Sequence, residues 1–132
     1  MGRLTRTLAV AVAGVAMLAT LSAAPATAKP GDVIRSGACS GPSNWKLKLS
    51  PDNGRIEVQF EVDQNVNGQA WRVRIRHDGD LVFNRMRTTK APSGSFEVRI
   101  LQANRAGDDA FTARAVNAAT GETCVGRAVF TA

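Results

Sequence analysis

The sequence predicts an all-β fold, a β-sandwich of about seven antiparallel strands preceded by a signal peptide. From Asn44 to Phe130, apolar and polar residues alternate in short runs, which is the pattern of strands that bury one face. Residues that favour turns separate these runs, and their spacing is typical of a sandwich. No helical periodicity is present after residue 28, so we expect no helix in the mature chain.

The segment 1–28 has the features of a cleaved secretory signal peptide. A basic start is followed by an uncharged, mostly apolar run over 8–24, and small residues stand at Ala26 and Ala28. The run is at the short limit for a membrane span, so we expect cleavage after Ala28 rather than a membrane anchor. We therefore expect a secreted, extracellular product without a transmembrane segment.

After cleavage, we expect a lead-in segment over 29–43 and one sandwich domain over 44–132. A chain of this size can bury a single modest core. The formal net charge is +6 for the whole chain and two units lower for the mature protein, because Arg3 and Arg6 leave with the signal peptide. A mildly basic protein is soluble and is weakly attracted to anionic polymers.

Cys39 and Cys124 are the two cysteines of the chain, and export to an oxidising compartment predicts a disulfide between them. The bond would close a loop of about 85 residues and stabilise the fold by roughly 4–5 kcal/mol in the chain-entropy model. A metal site or a catalytic thiol would need further ligands or a base, and His77 is the only histidine.

Each predicted strand is placed by a row of apolar residues at alternate positions. The inward rows are Trp45, Leu47 and Leu49; Ile56, Val58, Phe60 and Val62; Trp71, Val73 and Ile75; Leu81 and Phe83; Phe96, Val98 and Ile100; Phe111, Ala113 and Ala115; and Cys124, Gly126, Ala128 and Phe130. Turns are predicted at 51–54 and 77–79, which contain Asn-Gly and Asp-Gly. A further short strand fits 33–35.

The strand after the 77–79 turn can take two registers. Leu81 and Phe83 point inward if Gly79 takes the left-handed position of a three-residue loop, whereas a two-residue turn would bury Val82 instead. We favour the first register because it buries the larger residues.

The segment 111–121 reads aromatic-x-small-x-Ala-x-Asn and ends in a glycine turn. It resembles the penultimate strand and turn of fibronectin type III and related immunoglobulin-like domains, and Trp71 stands where they carry an inward aromatic residue. The resemblance implies an immunoglobulin-like sandwich, although the corner tyrosine is absent and the cysteines lie elsewhere. The whole chain also resembles small uncharacterised secreted proteins of high-GC Gram-positive bacteria, a likeness that implies no activity.

In an immunoglobulin-like sandwich the strands over 56–62 and 71–77 lie in opposite sheets, so their acids and arginines do not neutralise each other as they would in a hairpin. One outer face then has balanced charge, and the other carries five arginines against Asp80. These arginines are Arg72, Arg74, Arg76, Arg114 and Arg127. Because the arginine fork suits carboxylates and phosphates, they form the candidate binding face; the alternative is a solvated face that opposes edge-to-edge aggregation.

Other motifs are too incomplete to indicate a metal, a cofactor or a catalytic site. The run 63–68 matches the first half of a calcium loop, but Arg74 stands where the bidentate acid belongs. His77 beside Asp78 lacks a nucleophile, and 108–109 is predicted to be a solvated loop. Both Trp and all five Phe fall on the inward parity, which argues against sugar stacking and specific nucleic-acid binding.

These observations predict a secreted, monomeric, non-enzymatic binding or cell-surface-associated module. Its expected partner is an anionic envelope polymer or a protein, and we expect no cofactor. The alternative is a secreted protein inhibitor or toxin-like effector that acts through the loops at 63–69 or 88–95.

Overall fold

The computed structural model describes Gly2 and residues 28–131, so the predicted signal peptide lies outside it except at Gly2 and Ala28. The strands are β1 (Val33–Ala38), β2 (Asn44–Asp52), β3 (Arg55–Asp63), β4 (Ala70–His77), β5 (Asp80–Thr88), β6 (Ser95–Ala103), β7 (Asp109–Asn117) and β8 (Thr123–Phe130). They form two four-stranded antiparallel sheets, β1-β2-β3-β6 and β5-β4-β7-β8, which we call the first and the second sheet. The predicted all-β class is confirmed, with the two-sheet arrangement of a sandwich.

The short strand that fits 33–35 is present and extends further than predicted. The segment predicted as a lead-in contains β1, whose six residues all pair with β2. Val33 packs against the core, but Ser36 and Gly37 interrupt the apolar alternation. Pairing with β2, rather than the apolar alternation of the segment, therefore extends the strand to Ala38. Within the described chain, no helix has the length and hydropathy needed to cross a membrane.

The apolar rows of the two sheets form one core. The rows of β3 and β4 are completely buried: Ile56, Val58, Phe60, Val62, Trp71, Val73 and Ile75. Trp71 donates a hydrogen bond from Nε1 to Gln64 Oε1 at 3.0 Å, so its polar group is satisfied. Burial of one face of each sheet stabilises the fold and leaves the alternate, charged residues on the outer faces.

The β4–β5 hairpin differs from the predicted register. Asp78 and Gly79 have positive φ values of 48° and 89° and form a two-residue turn in which His77 pairs with Asp80. Positive φ at both central residues is the tight-turn conformation that Asp-Gly favours. The predicted three-residue loop is therefore wrong, and Leu81 is 46% exposed rather than inward.

A β-bulge next to this turn changes the register again. The pairing shifts between Ile75 and Arg76, so Phe83 lies opposite Ile75. Phe83 and Val82 are both half-buried and pack against the core, because the bulge places an extra residue in one strand. Phe83 thus contacts the core as predicted, although a bulge rather than a three-residue loop places it there. The Arg87 guanidinium lies over its ring, 5.2 Å from the centroid.

The predicted disulfide is confirmed. Cys39 directly follows β1 in the first sheet, and Cys124 lies in β8 of the second sheet, 85 residues further along the chain. Beside it, Trp45 of β2 packs against Gly126 of β8, where a Cβ atom would lie 2.7 Å from the indole ring. The bond therefore joins the two sheets along the side where β1 and β8 meet.

Candidate functional site

The five arginines of the predicted binding face lie on the outer face of the second sheet. Arg72, Arg74 and Arg76 alternate with the buried row of β4, so their exposed side chains point away from the core. Arg114 of β7 and Arg127 of β8 are exposed on the same face, because the register aligns their positions with those of β4. We call these five residues the arginine face.

The register arranges the arginine face in rows across the sheet. In the middle row, Arg74 of β4 is directly opposite Arg114 of β7. In the row next to it, Thr112 of β7 pairs with Arg76 of β4 on one side and with Arg127 of β8 on the other. The two rows therefore present cations on three neighbouring strands.

Arg72 forms a third row beside Val116 of β7, and a shallow groove of about 520 Å³ covers the other two rows. It is lined by Arg74, Arg76, Thr112, Arg114, Val116, Val125 and Arg127. The lining combines four guanidinium groups with three β-branched side chains and contains no acid, so it offers an anion both charge and a small apolar surface.

Within residues 28–131, no carboxylate oxygen lies within 4.0 Å of a guanidinium nitrogen of the arginine face. Arg76 donates a hydrogen bond to the carbonyl oxygen of Gly79 at 3.0 Å. Like charges directly opposite each other on neighbouring strands destabilise a sheet, and Arg74 and Arg114 are in this arrangement. The face is therefore a concentration of positive charge without intramolecular compensation.

Asp78 and Asp80, two acids at the β4–β5 turn, are held by another cation, Arg105. Asp80, the acid that the sequence sets against the arginines, accepts a hydrogen bond from Arg105 Nη1 at 3.0 Å. The same nitrogen lies 3.6 Å from Asp78 Oδ2 and donates to the carbonyl oxygen of His77. Arg105 thus draws these acids to one end of the second sheet.

The outer face of the first sheet differs, because several of its charges are paired. Arg99 of β6 lies 3.7 Å from a Glu57 oxygen and 3.2 Å from a Glu97 oxygen. Lys48 of β2 lies 3.4 Å from Asp32. Burial would raise the pKa of Asp32, but hydrogen bonds from Ser50 Oγ and from the backbone nitrogen of Lys29, together with the nearby Lys48 ammonium, lower this pKa overall.

A buried polar cluster at the end of the second sheet was not predicted. His77 is fully buried, with Nε2 2.6 Å from Asp109 Oδ1 and Nδ1 3.2 Å from Gln102 Oε1. The expectation that 108–109 is a solvated loop is wrong for Asp109, which is also fully buried. Strand parity could have indicated the pair, because His77 continues the inward row of β4 and Asp109 precedes that of β7.

The cluster has the residue types of a metal site, since ligand atoms of His77, Asp78 and Asp109 lie within 4.8 Å of one another. These oxygens already accept other hydrogen bonds: Asp109 Oδ1 from the Arg105 backbone nitrogen at 3.1 Å, and Asp78 Oδ1 from that of Ala110 at 2.8 Å. The hydrogen bonds of His77 in the described chain go to no hydroxyl or thiol. The arrangement fits a structural hydrogen-bonded cluster that joins β4, β6 and β7.

The loops 63–69 and 88–95 lie side by side at one end of the sandwich. The backbone nitrogen of Gly68 donates to the carbonyl oxygen of Thr89 at 2.8 Å, and Thr89 Oγ1 donates to that of Val66 at 2.6 Å. Gly94 has a positive φ of 64°, and a Cβ atom there would overlap the Val66 backbone. The partial calcium motif therefore forms part of a paired-loop structure.

The large aromatic side chains are not available for stacking with a ligand on the arginine face. Trp71 and four phenylalanines are buried, whereas Trp45 and Phe83 are half-buried and pack against the core. In comparisons with known proteins, no family model, no curated protein and no solved structure matches this chain.

Proposed function

We propose that the protein is a secreted, non-enzymatic module that binds an anionic polymer of the cell envelope through the arginine face. One contrast carries the proposal: in the part of the chain that the structure describes, none of the five arginines has a carboxylate oxygen within 4.0 Å, whereas Lys48 and Arg99 of the first sheet do. An arginine that is not bound to a carboxylate of its own chain keeps its N–H donors free for the phosphate or carboxylate groups of a ligand.

We also propose that the sandwich is immunoglobulin-like, which would explain why the arginines collect on one face. The strand order supports this proposal, since β3 and β4 are consecutive in the chain but lie in different sheets, and β7 lies between β4 and β8. Such domains place their second and third strands in opposite sheets in the same way. The glutamates of β3 are thereby separated from the arginines of β4.

Co-sedimentation of the disulfide-bonded protein with purified anionic cell-wall polymer tests the binding proposal. The test variant is Arg72→Gln/Arg74→Gln/Arg114→Gln, and the matched control Lys46→Gln/Lys48→Gln/Arg99→Gln removes the same charge from the first sheet. We expect the wild type to bind at low salt and to be released at high salt, the test variant to lose retention, and the control to keep it. Equal retention of both variants would contradict the proposal and leave the arginine face as a solubility feature.

The paired loops support a second candidate function, that of a protein inhibitor. Hydrogen bonds between 63–69 and 88–95 hold Val66 at the surface with 50% of its area exposed, and a pre-organised apolar residue is a suitable anchor for a protein partner. Inhibition of subtilisin or trypsin by the wild type, with a loss of at least about tenfold in Val66→Asp, would favour this function. No inhibition of either protease would argue against it.

A further inference from the structure

The rows of the arginine face follow a regular spacing along the sheet. Arg72, Arg74 and Arg76 stand at every second residue of β4, one in each row. Arg114 lies in the row of Arg74, and Arg127 lies in the row of Arg76. Two residues of an antiparallel strand span about 6.8 Å. A linear anion lying parallel to β4 would therefore meet a guanidinium group at each of three steps of this length.

This spacing matches the charge spacing of certain phosphodiester chains. Two residues of a strand contain six backbone bonds and span roughly 7 Å when extended. A phosphodiester chain in which three carbon atoms separate successive phosphates also has six backbone bonds per repeat, so its charges recur at nearly the same interval. Inorganic polyphosphate has two backbone bonds per repeat, and its charges are about three times closer together.

We propose that the ligand is a poly(glycerol phosphate) chain that lies along β4 with successive phosphates at the three rows. This inference rests on the proposed function and specifies its ligand. Arg74 and Arg114 form the middle row, and each can donate two hydrogen bonds to phosphate oxygens. Val116 and Val125 line the groove and can contact the methylene groups between phosphates. A nucleic acid has the same backbone period, but this face offers its bases no aromatic side chain.

Titration calorimetry with chains of equal charge number tests the spacing. The probes are poly(glycerol phosphate), inorganic polyphosphate, polyglutamate and single-stranded DNA. We expect poly(glycerol phosphate) to bind at least about tenfold more tightly than the other three, the effect of one further charge-assisted contact. Arg74→Gln/Arg114→Gln should remove this preference, and Lys46→Gln/Lys48→Gln should keep it.

The possible failures are distinguishable. Tightest binding of polyphosphate would show that charge density alone decides affinity, which overturns the spacing but leaves the proposed function. DNA binding as tight as that of poly(glycerol phosphate) would overturn the choice of glycerol as the unit between phosphates. If no probe binds at low salt, the proposed function fails as well.

A second site concerns the predicted N-terminus of the mature chain and is independent of the arginine face. The Asp32 side chain is fully buried, and its carboxylate accepts hydrogen bonds from Ser50 Oγ and, at 2.8 Å, from the backbone nitrogen of Lys29. Lys29 is also the residue that follows the predicted cleavage site. Lys29 Nζ donates to the carbonyl oxygen of Pro51 at 3.1 Å, so this residue is held at both ends.

We propose that cleavage between Ala28 and Lys29 converts this contact into an ion pair that secures the mature N-terminus to the first sheet. Hydrolysis of the peptide bond consumes one water, leaves a carboxylate on Ala28 and gives Lys29 an α-ammonium group in place of its amide. A charge-assisted hydrogen bond is about twice as strong as a neutral one. The proposal rests on the predicted signal peptide, and it makes the new terminus part of the folded structure.

Intact-mass measurement of the secreted protein and thermal unfolding of two forms test this proposal. We expect the secreted mass to begin at Lys29. We also expect this form to melt about 2–5 °C above one that begins at Ala28, with the difference absent when both carry Asp32→Asn. A different starting residue, or equal melting temperatures without that substitution, would overturn the proposal.

Discussion

The outer faces of the two sheets arise from the same alternation of strand residues, but their charged side chains differ in how far they are paired. On the first sheet, Arg99 lies within 4.0 Å of Glu57 and of Glu97. On the second, Arg74 and Arg114 face each other without an acid, and the nearby acids are bound by Arg105 and His77. The comparison teaches that a protein of modest net charge can carry a strongly cationic surface when one sheet pairs part of its outer charges and the other leaves its outer arginines unpaired.

The paired charges of the first sheet favour the fold, whereas the facing arginines of the second sheet oppose it. Like charges opposite each other lower the stability of a sheet, and residues that destabilise a fold are often those that function requires. Four predictions test this difference between the faces, in order of decreasing effect.

Removal of Asp109, the buried acid of the second sheet, should lower the stability of the fold by the largest amount. Asp109→Ala leaves His77 and the Arg105 backbone nitrogen without their shared acceptor, and each buried group that loses its hydrogen-bond partner costs about 1–3 kcal/mol. The control is Asp108→Ala, an exposed neighbour, which should change stability by less than about 0.5 kcal/mol. Urea unfolding of both variants measures the difference, and similar stabilities would show that the cluster is not structural.

Neutralising the arginine face should reduce the salt dependence of binding. The size of the reduction measures how many phosphate contacts are lost. Each phosphate contact contributes roughly 0.7–0.9 to the slope of log affinity against log salt. The triple variant Arg72→Gln/Arg74→Gln/Arg114→Gln should therefore lower that slope by about 2–3, measured by calorimetry with poly(glycerol phosphate). The matched first-sheet variant Lys46→Gln/Lys48→Gln/Arg99→Gln should leave the slope unchanged, and equal slopes for wild type and triple variant would remove the distinction between the faces.

The loss of stability at low pH should depend on Asp32. Because the folded state lowers the pKa of Asp32, its contribution is fully present above the unfolded value of 3.8 and is lost as the pH falls through the lower folded pKa. Asp32→Asn should lower the melting temperature by about 2–4 °C at pH 7, and the deficit should shrink below pH 3.8. Asp108→Asn is the control, and a deficit that does not change with pH would contradict this assignment.

Relief of the repulsion between Arg74 and Arg114 should have the smallest effect and the opposite sign. Arg114→Gln removes one of two facing charges, so we expect it to stabilise the fold by about 0.2–1 kcal/mol while it weakens polyanion binding. Arg99→Gln, which breaks the pairs with Glu57 and Glu97, should not stabilise it. A stability gain in both variants would mean that general charge repulsion, rather than the facing pair, is relieved.

The residue pattern predicts most of the strands and the composition of the arginine face. Alternation along β4 places Arg72, Arg74 and Arg76 on one side whatever the tertiary structure is, because successive side chains of a strand point to opposite faces. The same parity applied to His77 and Asp109 indicates burial, which the sequence interpretation missed because adjacent turn residues suggested exposure. The cysteine pair was predictable from its number and from the expected compartment.

By itself, therefore, the sequence determined the faces of the strands other than β5, the class of fold and the Cys39–Cys124 bond, since these depend on local periodicity and on a count. The tertiary structure alone decided that β1 extends to Ala38 and pairs with β2, that the two-residue turn exposes Leu81 while the bulge returns Phe83 to the core, and that Arg74 faces Arg114. It also brought His77 to Asp109 and Lys29 to Asp32. These features depend on register and on which strands are neighbours, and both are set by packing between segments that are distant in the chain.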